Sequence, residues 1–252
     1  MNEPVTVICD DYSVAWARVI KKLENHNWNI WNLIVTIKNP IIRNIDAYNQ
    51  ITEFCNSKGI LTPKKVQHTI FPTQIYKKAK DREHLYKYYW KFFNISRKMP
   101  HSGWGTYFQR MISYDTNGVK IDQLGDIIDS INNRSKNYGA SFVMVIPYPS
   151  KDHKKKMGAP CLNYITVQVE KDSYAQNGRK ISMLAVYRNH DFRERAYGNY
   201  LGLCDLLNYI CSETNSSIGY LTCISSHAYA SSNHKELSHI ADLIIGENNA
   251  TL

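Results

Sequence analysis

Two apolar stretches in the second half of the chain, Leu162 to Glu170 and Ile181 to Tyr187, stand on either side of Asn177-Gly178. In the first, Ile165, Val167 and Val169 occupy alternate positions, the period of a strand with one buried face. Asn-Gly is a strong hairpin signal because both residues tolerate positive φ. The pattern commits this part of the chain to an antiparallel hairpin. Helical and strand periods alternate around it. Ile121, Leu124, Ile128 and Ile131 line one face of a helix, and Ser141 to Ile146 is a continuous apolar run of buried-strand character ended by Pro147. After the hairpin, Asn199 to Cys211 reads as a helix with Leu203, Leu207 and Ile210 on its buried side. Nearer the amino terminus, Asp10-Asp11-Tyr12-Ser13 offers caps for an amphipathic helix through Val14, Ala17, Ile20 and Leu23, ending near Asn25. A strand, Leu33 to Ile37, then runs to Asn39-Pro40.

Residues 77 to 98 are dense in Lys, Arg and Tyr, with Tyr86, Tyr88, Tyr89 and Trp90 in succession. They admit two readings: a base-stacking surface for RNA, or a helix whose aromatic face, including Leu85, Tyr89 and Phe92, is core. No repeat or linker divides residues 1–252, so a single α+β domain is predicted. A length of 252 residues and a hydrophobic fraction of 43% support a sizeable core. The first residues lack the basic and apolar run of a signal peptide, and no stretch reaches the roughly 20 apolar residues that cross a bilayer. A cytoplasmic protein without a membrane segment is expected. The six cysteines, Cys9, Cys55, Cys161, Cys204, Cys211 and Cys223, form no CxxC pair, which argues against a zinc site or a disulfide framework. A net charge of +9 favours anionic partners such as nucleotides, polyglutamylated cofactors or RNA.

Cys161 follows Pro160 after a polar, basic stretch from Ser150 to Lys156, and it begins a strand. There a thiol can stay accessible while the strand fixes its backbone. The hairpin's second strand ends in Tyr187-Arg188-Asn189-His190-Asp191, the chain continues through Tyr197-Gly198-Asn199, and it later reaches His227-Ala228-Tyr229. This ordered set resembles the thymidylate synthase family, whose pattern is Pro-Cys, a hairpin, Arg-Ser-x-Asp, a turn to an Asn on a long helix, and His-x-Tyr. Gly105 to Arg110 looks like a shortened form of the family's Gly-x-x-Tyr-Gly-x-Gln-x-Arg region, and Ile121-Asp122-Gln123-Leu124 matches its Ile-Asp-Gln-Leu helix start. The resemblance covers a catalytic core within residues 101–234. Residues 1–100 are divergent and resemble only the shorter archaeal branch, in Ala15-Trp16 and the strand from Leu33 to Pro40.

The resemblance implies a mixed twisted β-sheet flanked by helices, a homodimer, and C5 one-carbon transfer to a uracil nucleotide such as dUMP. The donor it implies is 5,10-methylenetetrahydrofolate. Cys161 would attack C6. Arg188 would lower the thiol pKa and bind the phosphate, with Asn189 at the family's serine position beside it. Asp191 would orient the base and a cofactor ring. Asn199 would recognise the uracil edge, since a carboxamide donates to O4 while accepting from N3–H; capping its helix is the alternative role. His227 and Tyr229 would hold the sugar hydroxyl, and Tyr107 would assist proton transfer near Cys161.

Several features depart from the family. Its paired arginines fall at Ala140, Ser141 and Phe142, Leu162 replaces a histidine, and Tyr187 replaces a glutamine. Cys161 and Arg188 are 27 positions apart, longer than usual. The catalytic glutamate has only a loose match at Glu83, and the sequence reaches Leu252 without the family's Pro-rich closing segment. Two alternatives therefore stand beside methylation: pyrimidine hydroxymethylation, and a member without turnover that binds nucleotide or RNA.

Overall fold

The computed structural model describes residues 3–96, 105–133, 142–153, 158–174 and 177–249. A first strand, β1 (Val5–Cys9), leads into helix α1 (Tyr12–Glu24), which starts where the Asp11 carboxylate accepts from the Ser13 and Val14 amides at 2.7 and 3.1 Å. The predicted face, Val14, Ala17, Ile20 and Leu23, is buried. Strand β2 (Asn29–Ile37) begins upstream of the predicted Leu33 and bends at Asn32, whose φ is 58°.

A helical cap follows: α2 (Ile45–Ser57), α3 (Pro63–Ile70), α4 (Thr73–Tyr76), α5 (Arg82–Ser96) and α6 (Tyr107–Ile112). On α5, Leu85, Tyr89 and Phe93 are buried, while Phe92 is exposed, so the predicted core face is rotated by one residue at its end. A short hairpin, β3 (Tyr114–Thr116) and β4 (Val119–Ile121), precedes α7 (Gln123–Asn133), which buries Leu124, Ile128 and Ile131 but leaves Ile121 outside it and exposed.

The remaining elements are β5 (Phe142–Val145), α8 (Pro149–Asp152), β6 (Leu162–Lys171), β7 (Arg179–Tyr187), β8 (His190–Asp191), α9 (Ala196–Glu213), β9 (Ser217–Tyr229) and α10 (His234–Asn249). Among the described residues one seven-stranded sheet runs in the order β1-β2-β9-β7-β6-β5, with β8 beside β9. Its pairings are mixed: β1 with β2 and β7 with β9 are parallel, whereas β2 with β9 and β5, β6 and β7 in turn are antiparallel. The expected α+β architecture, a mixed twisted sheet flanked by helices, is what the chain adopts.

The predicted hairpin is β6–β7, but its connection is a wider loop than a two-residue turn. Gly178 alone of the pair has positive φ, at 70°, and Asn177 instead donates to the Thr214 and Ser216 oxygens that anchor the loop to the end of α9. Helix α9 is the centre of the helical layer and is buried on nearly every side. A Cβ on Gly198 would lie 2.6 Å from the Val66 Cβ, and one on Gly202 2.9 Å from the Ile70 Cβ, so the two glycines let α3 lie directly on α9. Where α9 meets the cap, Arg43, Gln67 and Thr73 all donate to Asp205.

Among the described residues only one face of the sheet carries this layer. On the other face the register forms two rows across six strands: Val145, Tyr164, Val186, Ile224, Ile34, Thr6, and Val143, Thr166, Leu184, Thr222, Thr36, Ile8. Every member of both rows is half-exposed or exposed. This explains why Val143 and Val145, predicted to lie in a strand of buried character, are open to solvent.

Candidate active site

The start of β6 and the ends of β7 and β9 lie side by side, because Leu162 pairs with Tyr187 and Tyr187 with Ser225. Residues from six parts of the chain meet at this end of the sheet. Cys161 lies just before β6 and its carbonyl accepts from the Arg188 amide at 2.9 Å. It is half-buried, whereas the other five cysteines are buried. Tyr107, at the start of α6, receives the Cys161 amide on its phenol oxygen at 3.3 Å, and the Leu162 amide approaches the same oxygen. Burial pushes the Tyr107 phenol up to about 12, and the neighbouring Cys161 adds to the rise.

Arg188 does not point away as an ordinary surface cation. Its Nε donates to the Pro160 carbonyl at 3.1 Å and Nη2 to the Ala159 carbonyl at 3.3 Å, so the guanidinium braces the turn that delivers Cys161. Its charge does act on the thiol as the sequence suggested, but it does not win. Burial raises the Cys161 pKa above its ordinary value, against the lowering effects of Arg188 and Arg195. Iodoacetamide should therefore modify Cys161 first in the native protein, at a rate still climbing from about pH 7 to about pH 9 as thiolate forms. A rate already level at neutral pH would mean that the two arginines outweigh burial.

Asp191 accepts from the Arg193 amide at 2.9 Å in a local turn, and burial raises its pKa. Register places it opposite Tyr229. Asn189 bonds the His227 Nδ1 at 2.8 Å and also reaches the Tyr229 hydroxyl, so the position expected at a phosphate is joined to the pair expected at a sugar. Asn199 lies within the first turn of α9, and Arg195 occupies the N-cap position, so Asn199 does not cap the helix. Its Nδ2 instead donates to the Nε2 of His190 at 3.1 Å.

Three residues of this end, Trp31, Asn29 and Arg195, carry no mark in the sequence pattern. Trp31 and Asn29 enter from β2: the indole stacks on His227 with centroids 4.3 Å apart, and the Asn29 side-chain oxygen, Oδ1, meets His227 Nε2 at 3.0 Å. Trp31 is nonetheless 60% exposed, an aromatic surface at the rim. Arg195 is exposed at the head of α9, and its charge reaches both Cys161 and Tyr107. His190 is fully buried beneath Tyr187, ring on ring at 4.1 Å. The sequence signal for His190 was its place between Asn189 and Asp191; nothing local foretold Trp31 or Asn29.

Other expected positions fall elsewhere. Glu83 is exposed on the first turn of α5, where its neighbour Arg82 bonds Asp129 of α7. Ala140, Ser141 and Lys154 to Lys156 lie outside the described residues. A hollow lined by Tyr12, Arg43, Tyr48, Gln67, Tyr76 and Asp205 lies on a different face of α9 from Asn199, and its acid is already saturated by Arg43, Gln67 and Thr73.

No model of a known protein family matches the chain. It is similar to a protein of Methanothermobacter marburgensis described as "Putative thymidylate synthase", 24% identical over 234 residues that span 87% of this chain and 91% of the relative. The similarity runs through the divergent amino-terminal part as well as the core.

Proposed function

We propose that this chain modifies C5 of a uracil nucleotide such as dUMP through a covalent adduct between Cys161 and C6. The observation that carries the reading is the convergence of Cys161, Tyr107, Arg188, Asn189, His227 and Tyr229 on one end of the sheet, in the order the resemblance requires. Attack of the Cys161 sulfur on C6 moves the C5–C6 π electrons toward C5 and O4. C5 then takes up a proton from solvent or a one-carbon electrophile, and loss of the original C5 proton lets the thiolate leave. Arg188 and Arg195 stabilise the thiolate and the anionic nucleotide together. Asn199 reads the uracil edge, and His227 and Tyr229 hold the sugar.

The proposed donor is 5,10-methylenetetrahydrofolate, which supplies a one-carbon unit when bound. The half-buried Asp191 carboxylate beside Tyr229 suits the N–H groups of such a ring, since burial strengthens its hydrogen bonds. Release of tritium from [5-³H]dUMP tests the cysteine chemistry without the donor. Exchange above the buffer rate supports the reading; detectable dUMP binding with no exchange favours nucleotide binding without turnover. The raised Cys161 pKa is the observation on that second side. Product analysis with the donor present separates methylation from hydroxymethylation.

The whole chain acts as one domain in this reading, because β1 and β2 of the divergent part share a sheet with β6, β7 and β9. It works as a homodimer joined through the open sheet face. Two rows across six strands, Val, Ile, Leu and Tyr interspersed with Thr, form a largely apolar surface of a kind rarely left to solvent. Ile224→Glu, on the central strand β9 of this face, should yield a monomer in sedimentation velocity. A wild-type protein that sediments as a monomer at micromolar concentration would rule the dimer out.

A further inference from the structure

His190 touches no exposed surface, yet both its ring nitrogens have partners. Nδ1 lies 2.9 Å from the Ser225 hydroxyl and Nε2 lies 3.1 Å from the Asn199 Nδ2. Burial pushes its pKa down to about 3, so the ring is neutral near neutral pH and carries one proton. The Asn199 Nδ2 can only donate, so Nε2 must be the unprotonated nitrogen and Nδ1–H must donate to Ser225. Ser225 in turn passes its hydroxyl hydrogen toward Cys223. The chain of donors thus runs in one direction, with the Nδ2 end of the Asn199 amide against His190. The ring cannot turn to exchange its nitrogens, because it is stacked on Tyr187 at 4.1 Å and edged by Tyr200 at 5.6 Å.

From this geometry we infer that His190 is a specificity-determining positioning residue, holding the Asn199 carboxamide in the orientation that accepts uracil and rejects cytosine. The inference rests on the reading above, in which Asn199 faces the base. One N–H of Nδ2 is spent on His190, and the remaining edge of the amide presents the other N–H on the His190 side and Oδ1 away from it. That edge matches a base with a carbonyl at C4 and N–H at N3. Cytosine, with an amine at C4 and a bare N3, needs the amide turned over. Turning it over would set Oδ1 against the Nε2 lone pair, acceptor facing acceptor. The imidazole could relieve this only by moving its proton to Nε2, which forces Ser225 to turn its hydroxyl hydrogen from Cys223 to Nδ1. A buried histidine thereby turns a symmetric-looking amide into a one-way reader of the base.

The test is calorimetric titration of the full chain with dUMP and with dCMP, in the wild type, His190→Phe and Ser225→Ala. Phenylalanine keeps the ring stacked on Tyr187 but removes the acceptor. The wild type should prefer dUMP, and His190→Phe should reduce that preference by about tenfold or more. Ser225→Ala, which frees the proton to move, should reduce it in the same direction. A folded His190→Phe protein as selective as wild type overturns the proposal and leaves the uracil reading standing. Wild-type protein with no affinity for either nucleotide overturns both. Should His190→Phe fail to fold, Ser225→Ala and the imidazole ¹⁵N spectrum of the wild type decide: a pyrrole-type Nε2, bearing the proton, also overturns the proposal.

Discussion

Cys161→Ala should eliminate C5 exchange from dUMP, a loss of roughly 10⁴- to 10⁶-fold as for other removed nucleophiles, while dUMP binding stays measurable. The expectation rests on more than position. The thiols of Cys55 and Cys211 are pushed up to about 11 and about 12 by burial, and those of Cys204 and Cys223 are raised further within the fully buried core. None of them can present a thiolate to a nucleotide. Cys161 is half-buried, feels two arginines, and has its backbone clamped from both sides, by Tyr107 on its amide and by Arg188 on its carbonyl. Loss of binding along with exchange would instead make Cys161 a packing residue of the site. An equal loss in Cys204→Ala or Cys223→Ala, with the protein still folded, would remove the assignment altogether.

How much of this was legible in the sequence follows from what periodicity encodes. A two-residue period states which side chains share a face, and it located β6 and β7 and the buried positions Ile165 and Val167 correctly. It does not state what lies against that face or which strand is the neighbour. Ile30 pairs with Ala228 across nearly the whole chain, and this non-local pairing alone brings Trp31 and Asn29 to His227. The open face had the same cause: Val143 and Val145 look like core until the described residues are found to cover the sheet on one side only. The order of motifs named Cys161, Arg188, Asn189, Asp191, Asn199, His227 and Tyr229, which the fold gathers at one end of the sheet. What could not be read was how these residues engage one another, because a motif gives positions and not hydrogen bonds. Asn189 illustrates this, since its amide is turned toward His227 rather than left open beside Arg188.

Arg110 shows the same limit with a consequence for stability, since in the sequence it is only the last residue of a shortened motif. In the fold it is 2% exposed, and its guanidinium donates to Asp152 and, at 3.1 Å, to the Ile146 carbonyl. The guanidinium also lies 4.2 Å from the centre of the Tyr148 ring, and Asp152 accepts from the Tyr148 amide at 2.8 Å. This buried pair ties α6, which carries Tyr107, to the segment between β5 and Cys161. Arg110→Met fills much of the volume but leaves the Asp152 carboxylate buried without its cation. Breaking a buried pair from one side costs about 3–5 kcal/mol, and in a chain of this length that lowers Tm by roughly 10 °C. Removing both charges, as in Arg110→Met with Asp152→Leu, should recover more than half of the loss, because the penalty lies in the stranded charge and not in the missing attraction. Thermal unfolding of the two variants decides the point: a single variant as stable as the wild type would mean that Asp152 is neutral or hydrated in the folded protein, and a double variant less stable than the single would mean that the pair itself holds α6 in place.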